Sequence, residues 1–134
     1  MFTLTPNGSK IFEAAFAGYL DQFIPDLKPP ENPFVAVEYD IFSNYEWDPP
    51  GEHVGIDIND VKYVANVSWL SNIAILEGKR NEAWISYDSS SHNFSVVFTV
   101  FKYNVTINQS LSYIVDLRKV LPEWVTFGFS SDRS

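Results

Sequence analysis

Short runs in which apolar and polar side chains alternate residue by residue recur along most of this chain. A period of two suits a strand that buries one face, and it does not fit the 3.6-residue period of a helix. Phe34-Val35-Ala36-Val37-Glu38-Tyr39-Asp40 is one such run, and His53–Asn59 is another, with Val54, Ile56 and Ile58 on one face. Similar runs rich in Val, Ile, Phe, Tyr or Thr cover 62–69, 81–87, 93–101, 110–117 and 125–130. They are separated by turn chemistry such as Glu77-Gly78-Lys79 and Asp88-Ser89-Ser90-Ser91. Helical patterning is confined to a short turn within 118–123. Many strands at short spacing predict an all-β sandwich or jelly roll. Pro29-Pro30-Glu31-Asn32-Pro33 reads as a stiff loop, and no repeat or linker divides the chain.

The 134 residues suffice for one domain with a real core, and 46% hydrophobic residues with 16% aromatics argue against disorder. A net charge of −8 repels phosphate backbones and anionic headgroups, so nucleic acid and membrane surfaces are poor partners and divalent cations better ones. The absence of cysteine removes disulfides and thiolate zinc sites. No apolar run approaches the roughly 18 residues of a membrane span, and Met1–Pro6 lacks the basic and apolar regions of a signal peptide. Asn-X-Ser/Thr acceptors begin at Asn7, Asn66, Asn93, Asn104 and Asn108. Five such sites exceed the one or two that chance gives (about, for this Ser and Thr content), and they tilt the reading toward the secretory pathway. The commonness of Asn, Ser and Thr in turns is the alternative.

Chemistry concentrates in Glu38–His53. Glu38 and Asp40 project from one face of a strand, where two adjacent carboxylates repel each other and call for a cation. A loop through Asn44 and Asp48-Pro49-Pro50-Gly51 returns another carboxylate, and His53 opens the next strand. Asp40, Asn44 and Asp48, with a carbonyl such as that of Phe42, make an all-oxygen set suited to Ca²⁺. Glu38, Asp40, Asp48 and His53 mix oxygen with imidazole and suit Mn²⁺ or a similar ion, so Asp40 and Asp48 could bridge two metals. On spacing alone the same residues could equally form a solvated acidic loop with an exposed histidine.

Val35–Asn44, then Trp47-Asp48-Pro49 and His53–Asn59, resemble the metal-binding signature of the legume (L-type) lectins. The likeness extends over nearly the whole chain, to Phe2–Pro6, Ala17-Gly18-Tyr19-Leu20, Ser110–Tyr113, Val115–Leu117, Leu121–Val125 and Gly128-Phe129-Ser130. It implies a concanavalin-like jelly-roll β-sandwich, with 1–134 as a partial lectin domain whose first and last strands lie outside these residues. It implies metal-dependent, non-catalytic carbohydrate binding. Glu38, Asp40, Asp48 and His53 would hold the transition metal, and Asp40, the Phe42 carbonyl, Asn44 and Asp48 the calcium. Asn44, the Phe42 ring and the Gly18 backbone N–H would contact sugar, an aromatic plane fitting the apolar C–H face of a pyranose. The implied partners are mono- or oligosaccharides and glycoproteins, with a homo-oligomer or a second chain completing the domain. The implied location is secreted, whether vacuole, protein body or cell exterior. The chain departs from the family pattern at Ile41, where Thr is usual, at Tyr63, where Ser is usual, and at Ala17 and Asp21-Gln22.

Two other readings compete. Glu38-Tyr39-Asp40-Ile41-Phe42 superficially resembles the Glu-x-Asp-x-x-Glu strand of some jelly-roll glucanases, but the acid that pattern places beyond Asp40 is absent, with Phe at position 42 and Ser at 43. A lectin-like defence or storage protein that has lost sugar binding is expected to lose metal ligands, and here all five remain. Of the remaining residues, Asp57 is expected to face a polar sheet side or accept local hydrogen bonds, His92 to be a solvated surface residue, and Trp69, Trp84 and Trp124 to serve core or inter-sheet packing rather than as sugar platforms.

Overall fold

The computed structural model describes residues 1–8, 33–40, 52–59, 63–69, 78, 80–102 and 105–129. Among the described residues, eight strands run β1 (Phe2–Pro6), β2 (Val35–Asp40), β3 (His53–Ile58), β4 (Tyr63–Ser68), β5 (Ala83–Asp88), β6 (Asn93–Lys102), β7 (Val105–Ile114) and β8 (Val125–Phe129), with a 3₁₀ turn at Leu117–Lys119. Among the described residues they form a five-stranded sheet ordered β4-β3-β2-β1-β8 and a three-stranded sheet ordered β5-β6-β7. All pairings are antiparallel. The all-β sandwich expected from the alternation is therefore the fold.

The alternation explains the two layers. Val35 and Val37 of β2 and Val54 and Ile56 of β3 face inward and meet Phe94, Val96, Phe98 and Val100 of β6. Each of these side chains is essentially sealed from water, and each burial contributes about 1.5–3 kcal/mol. Trp69 closes this core and donates its indole N–H to the Thr99 carbonyl at 3.3 Å, so the ring's polar atom is satisfied inside. Trp84 and Trp124 are the corrections. Trp84 lies on the outward face of β5, opposite Val97, and is half exposed, while Trp124 is 73% exposed just before β8. Aromatic size suggested core, but strand parity decided for Trp84 and chain position for Trp124.

β7 begins at Val105 rather than at Ser110. Its first half, Val105-Thr106-Ile107-Asn108-Gln109, looks polar because its outward face is solvated, yet it pairs residue for residue with β6 from Lys102↔Val105 to Asn93↔Ile114. At the end of β3, Asn59 takes a left-handed φ of 57°. Its N–H donates to the Phe34 carbonyl at 3.1 Å, and its Oδ1 accepts from the Phe34 N–H at 2.8 Å. Asn tolerates that conformation better than most residues, and the clip closes the β2–β3 pair at one end.

The inward face of β8 is uncovered. Phe127 is 66% and Phe129 77% exposed, although the register pairs them with the inward-facing Leu4 and Phe2 of β1. Phe2 touches Phe129 at 5.6 Å between ring centroids, and Phe127 touches Phe129 at 6.3 Å. Adjacent aromatics left open to water on a sheet face mark a place built to be covered. At the start of the 3₁₀ turn, its N-cap Asp116 accepts through Oδ1 from the Arg118 backbone N–H at 3.1 Å and from Arg118 Nε at 3.0 Å. Its Oδ2 accepts from Nη2 at 2.9 Å. These side-chain hydrogen bonds from Arg118 pull the Asp116 carboxyl down to about 2.

Two outcomes follow. Phe98→Ala is expected to lower unfolding free energy by about 3–5 kcal/mol through cavity formation, whereas Phe127→Ser should stay within about 0.5 kcal/mol and reduce binding of an environment-sensitive apolar dye. Denaturant titration and dye fluorescence on the two variants check this. Because the folded Asp116 pKa lies below the ordinary 3.8, its contribution to stability is present above that value and is lost as pH falls through about 2. In Arg118→Ala, a carboxyl NMR titration should find Asp116 moved back up toward 3.8.

Candidate functional site

The side of the five-stranded sheet that faces away from the core carries the acidic residues. In the β2–β3 register Asp40 stands opposite His53, Glu38 opposite Gly55 and Ala36 opposite Asp57. Since Val35, Val37, Val54 and Ile56 point inward, strand parity sends Glu38, Asp40, His53 and Asp57 to the other face together. Opposed residues of an antiparallel pair have Cβ atoms about 4.5–5.5 Å apart, so β2 and β3 set two carboxylates and an imidazole side by side before any loop contributes.

His53 is fully buried and its Nε2 lies 3.8 Å from Asp40 Oδ2. That separation is longer than a hydrogen bond. Two ligands each about 2.1 Å from one ion stand about 3–4 Å apart, so the spacing fits a shared cation. The exposed histidine of the bland alternative is excluded, because 53 has no accessible surface. Asp57 is also buried on this face, as the expectation of a polar sheet side required. Glu38 is half-buried.

Tyr39, between the two acids in sequence, points the opposite way. Its ring meets Trp69 at 5.7 Å and Phe98 at 6.3 Å in edge-to-face contacts. Burial pushes its phenol up to about 12, and its buried hydroxyl has no hydrogen-bond partner. The acids are thus backed by packed aromatics.

Of the other expected site residues, Phe42, Asn44, Asp48 and Gly18 lie outside the described residues, as does Asn104. Among the described residues no group of three or more His, Cys, Asp or Glu side chains gathers closely enough to hold a metal by itself. The described part of the site is the Asp40–His53 pair with Glu38 beside it. His92 is not in free solvent: its Nε2 lies 4.0 Å from Asp116 Oδ2, its side chain 37% exposed. It adopts a φ of 57° in the turn after Asp88. Sequence reasoning did not place Asn66 and Ser68 on the acidic face, but the register through β3 does, pairing Gly55 with Asn66 and His53 with Ser68. The signal was there in the parity of 66 and 68, hidden by a bulge at Ile56/Asp57 that resets the count.

The model of the legume lectin domain matches residues 1–134. The chain belongs to the legume lectin family. Agglutinin-2 of Cladrastis kentukea is 39% identical to it over 131 residues, covering 96% of this chain and 44% of its own length. Among solved structures, the basic winged bean lectin with Tn-antigen superposes with a TM-score of 0.69 at 33% identity, covering 94% of this chain and 48% of its own. Lectin UEA-II complexed with galactose gives 0.73 at 27% identity, covering 94% and 52%. The chain spans about half the length of the legume lectins it matches. Its sheets are those of the legume-lectin jelly roll, and the family generally binds calcium and manganese.

Removing the unpaired hydroxyl in Tyr39→Phe is expected to leave stability unchanged or raise it by about 1 kcal/mol, since a buried polar group without a partner costs about that much or more. Urea denaturation of the variant measures the change. A loss above 1 kcal/mol (roughly) would mean that the hydroxyl has a partner, such as a buried water.

Proposed function

We propose that this chain supplies the metal-holding half of a carbohydrate-binding site and acts as a lectin without catalysis. The supporting observation is the acidic face of β2–β3, where Glu38, Asp40 and the fully buried His53 share one side of the sheet in register. Relatives solved with Tn-antigen and with galactose make sugars the natural ligand class. In this reading Glu38, Asp40, Asp48 and His53 hold a transition metal such as Mn²⁺, and Asp40, the Phe42 carbonyl, Asn44 and Asp48 hold Ca²⁺. The donor chemistry fits, with imidazole and carboxylate for the first ion and oxygen alone for the second. Ions held there would supply the positive charge that the clustered carboxylates call for. The Asn44 amide then donates to sugar hydroxyls, the Phe42 ring stacks on the pyranose face, and Gly18 offers a backbone N–H. The Glu-x-Asp-x-x-Glu pattern of jelly-roll glucanases would put its last acid at position 43, which is Ser in this sequence.

Plant legume lectins are generally secretory or vacuolar, and the five acceptor sequons support that route for this chain. The open aromatic face of β8 supports association, either with further lectin-domain polypeptide or with a second copy. Mono- and oligosaccharides, alone or on glycoproteins, are the ligands of this reading.

Calorimetric titration of Mn²⁺ and Ca²⁺ into metal-stripped protein, followed by a glycan panel with and without ions, tests it. Both ions are expected to bind, with sugar binding dependent on them. Asp40→Ala and His53→Ala should each weaken Mn²⁺ binding by more than about 100-fold, since even outer partners of a metal commonly account for 10- to 100-fold. A folded variant that keeps full affinity removes that residue from the ligand set. Ion binding without any sugar binding would favour a descendant that keeps the centre but not the recognition.

A further inference from the structure

Among the described residues, Asn66 lies on β4, the last strand of the five-stranded sheet, and Asn108 on β7, the last of the three-stranded sheet. Both asparagines are exposed, and so are the acceptor residues Ser68 and Ser110 two positions on. In a strand those two positions share a face, which here is the outward one in each sheet: Val67 of β4 packs toward the core, as does Leu111 of β7. β7 also packs against β4 and β3, so the two strands lie along the same margin of the sandwich, one sequon on each broad face. Asn93 differs. It sits on the middle strand β6, half-buried, with Asp88 and Ile114 in register on either side. Asn7 is exposed in the turn after β1, its backbone N–H donating to the Trp124 carbonyl at 3.0 Å and its Oδ1 accepting from Thr126 Oγ1 at 3.4 Å, but its acceptor Ser9 lies outside the described residues, as does Asn104.

We propose that Asn66 and Asn108 carry N-linked glycans, and that together these sheathe the β4/β7 margin against strand addition. An edge strand is a template for pairing with another chain, and proteins blunt such edges with bulky or solvated groups. A branched, hydrated oligosaccharide on the outward face of each edge strand obstructs an incoming strand from both sides. The opposite edge, β8, carries Phe127 and Phe129 open to water and no sequon in the strand. The molecule thus has a margin kept in solvent and a margin left free to pack. This inference rests on the secretory-pathway reading, not on sugar binding.

The test is to express the chain behind a secretory leader in plant cells and map glycopeptides by mass spectrometry. Sugar is expected on Asn66 and Asn108, with Asn93 bare. Asn66→Gln and Asn108→Gln should each remove one glycan, as should Ser68→Ala and Ser110→Ala, which leave the asparagines in place. A secreted chain without sugar at either position, or with sugar on Asn93 in place of Asn108, overturns the assignment. Sedimentation then tests the sheathing: the Ser68→Ala/Ser110→Ala double variant should form larger species than the glycosylated protein, and equal sizes would overturn that part. Failure of the glycan panel would count against the lectin reading and leave this one standing. Detection of the native protein in the cytosol, by contrast, would overturn the secretory reading together with it.

Discussion

The pairing register between β2 and β3 is what everything else depends on. Because side chains alternate, one choice of register puts Val35, Val37, Val54 and Ile56 into the core and Glu38, Asp40 and His53 on the other face. A slip by one residue would bury two carboxylates among aromatics and expose the valines, a change of many kcal/mol in the wrong direction. Core formation and the assembly of the acidic face are therefore one event. The Asn59 clip on Phe34 closes the strand pair at the end away from Asp40 and His53, and so it acts on a site it does not touch.

The same logic gives the sandwich its asymmetry. Residues around β2, β3 and β6 are sealed, whereas the β8 side of the inner face presents phenylalanines to water. In a chain about half the length of the legume lectins it matches, the hydrophobic effect is satisfied at the centre and left incomplete at one border. Tyr39 sits at the junction, its ring joining the core against Trp69 and Phe98 while its neighbours in sequence carry the charges.

Much of this was legible in the sequence, and the exceptions are instructive. The alternation announced β2, β3 and β6, and the spacing of Glu38, Asp40 and His53 announced a shared face, because both depend on parity alone. The first half of β7 was missed since Asn, Gln and Thr on a solvated face mimic loop composition. Trp84 and Trp124 were misplaced since hydrophobicity says how much a ring gains from burial and not which way its strand turns it. The burial of His53 was likewise not readable, as exposure of an outward-facing residue depends on distant parts of the chain. Asn44, Asp48, Phe42 and Gly18 rest on the family pattern, their positions lying outside the described residues.

The two longest strands also differ from the rest in how far the chain must travel to pair them. β6 and β7 are ten residues each and match along their whole length close together in sequence, whereas β1, which pairs with β2 on one side, meets β8 on the other only across a far larger separation, Thr3 bonding to Gly128 125 positions away. Closing so large a loop costs entropy that only later contacts repay. The β6–β7 hairpin, bearing the row from Phe94 to Val100, is thus placed to form early and to template the rest. The β1–β8 pairing would be among the last contacts between the described strands to form, and until it does, the aromatic border of β8 has no strand to lie against.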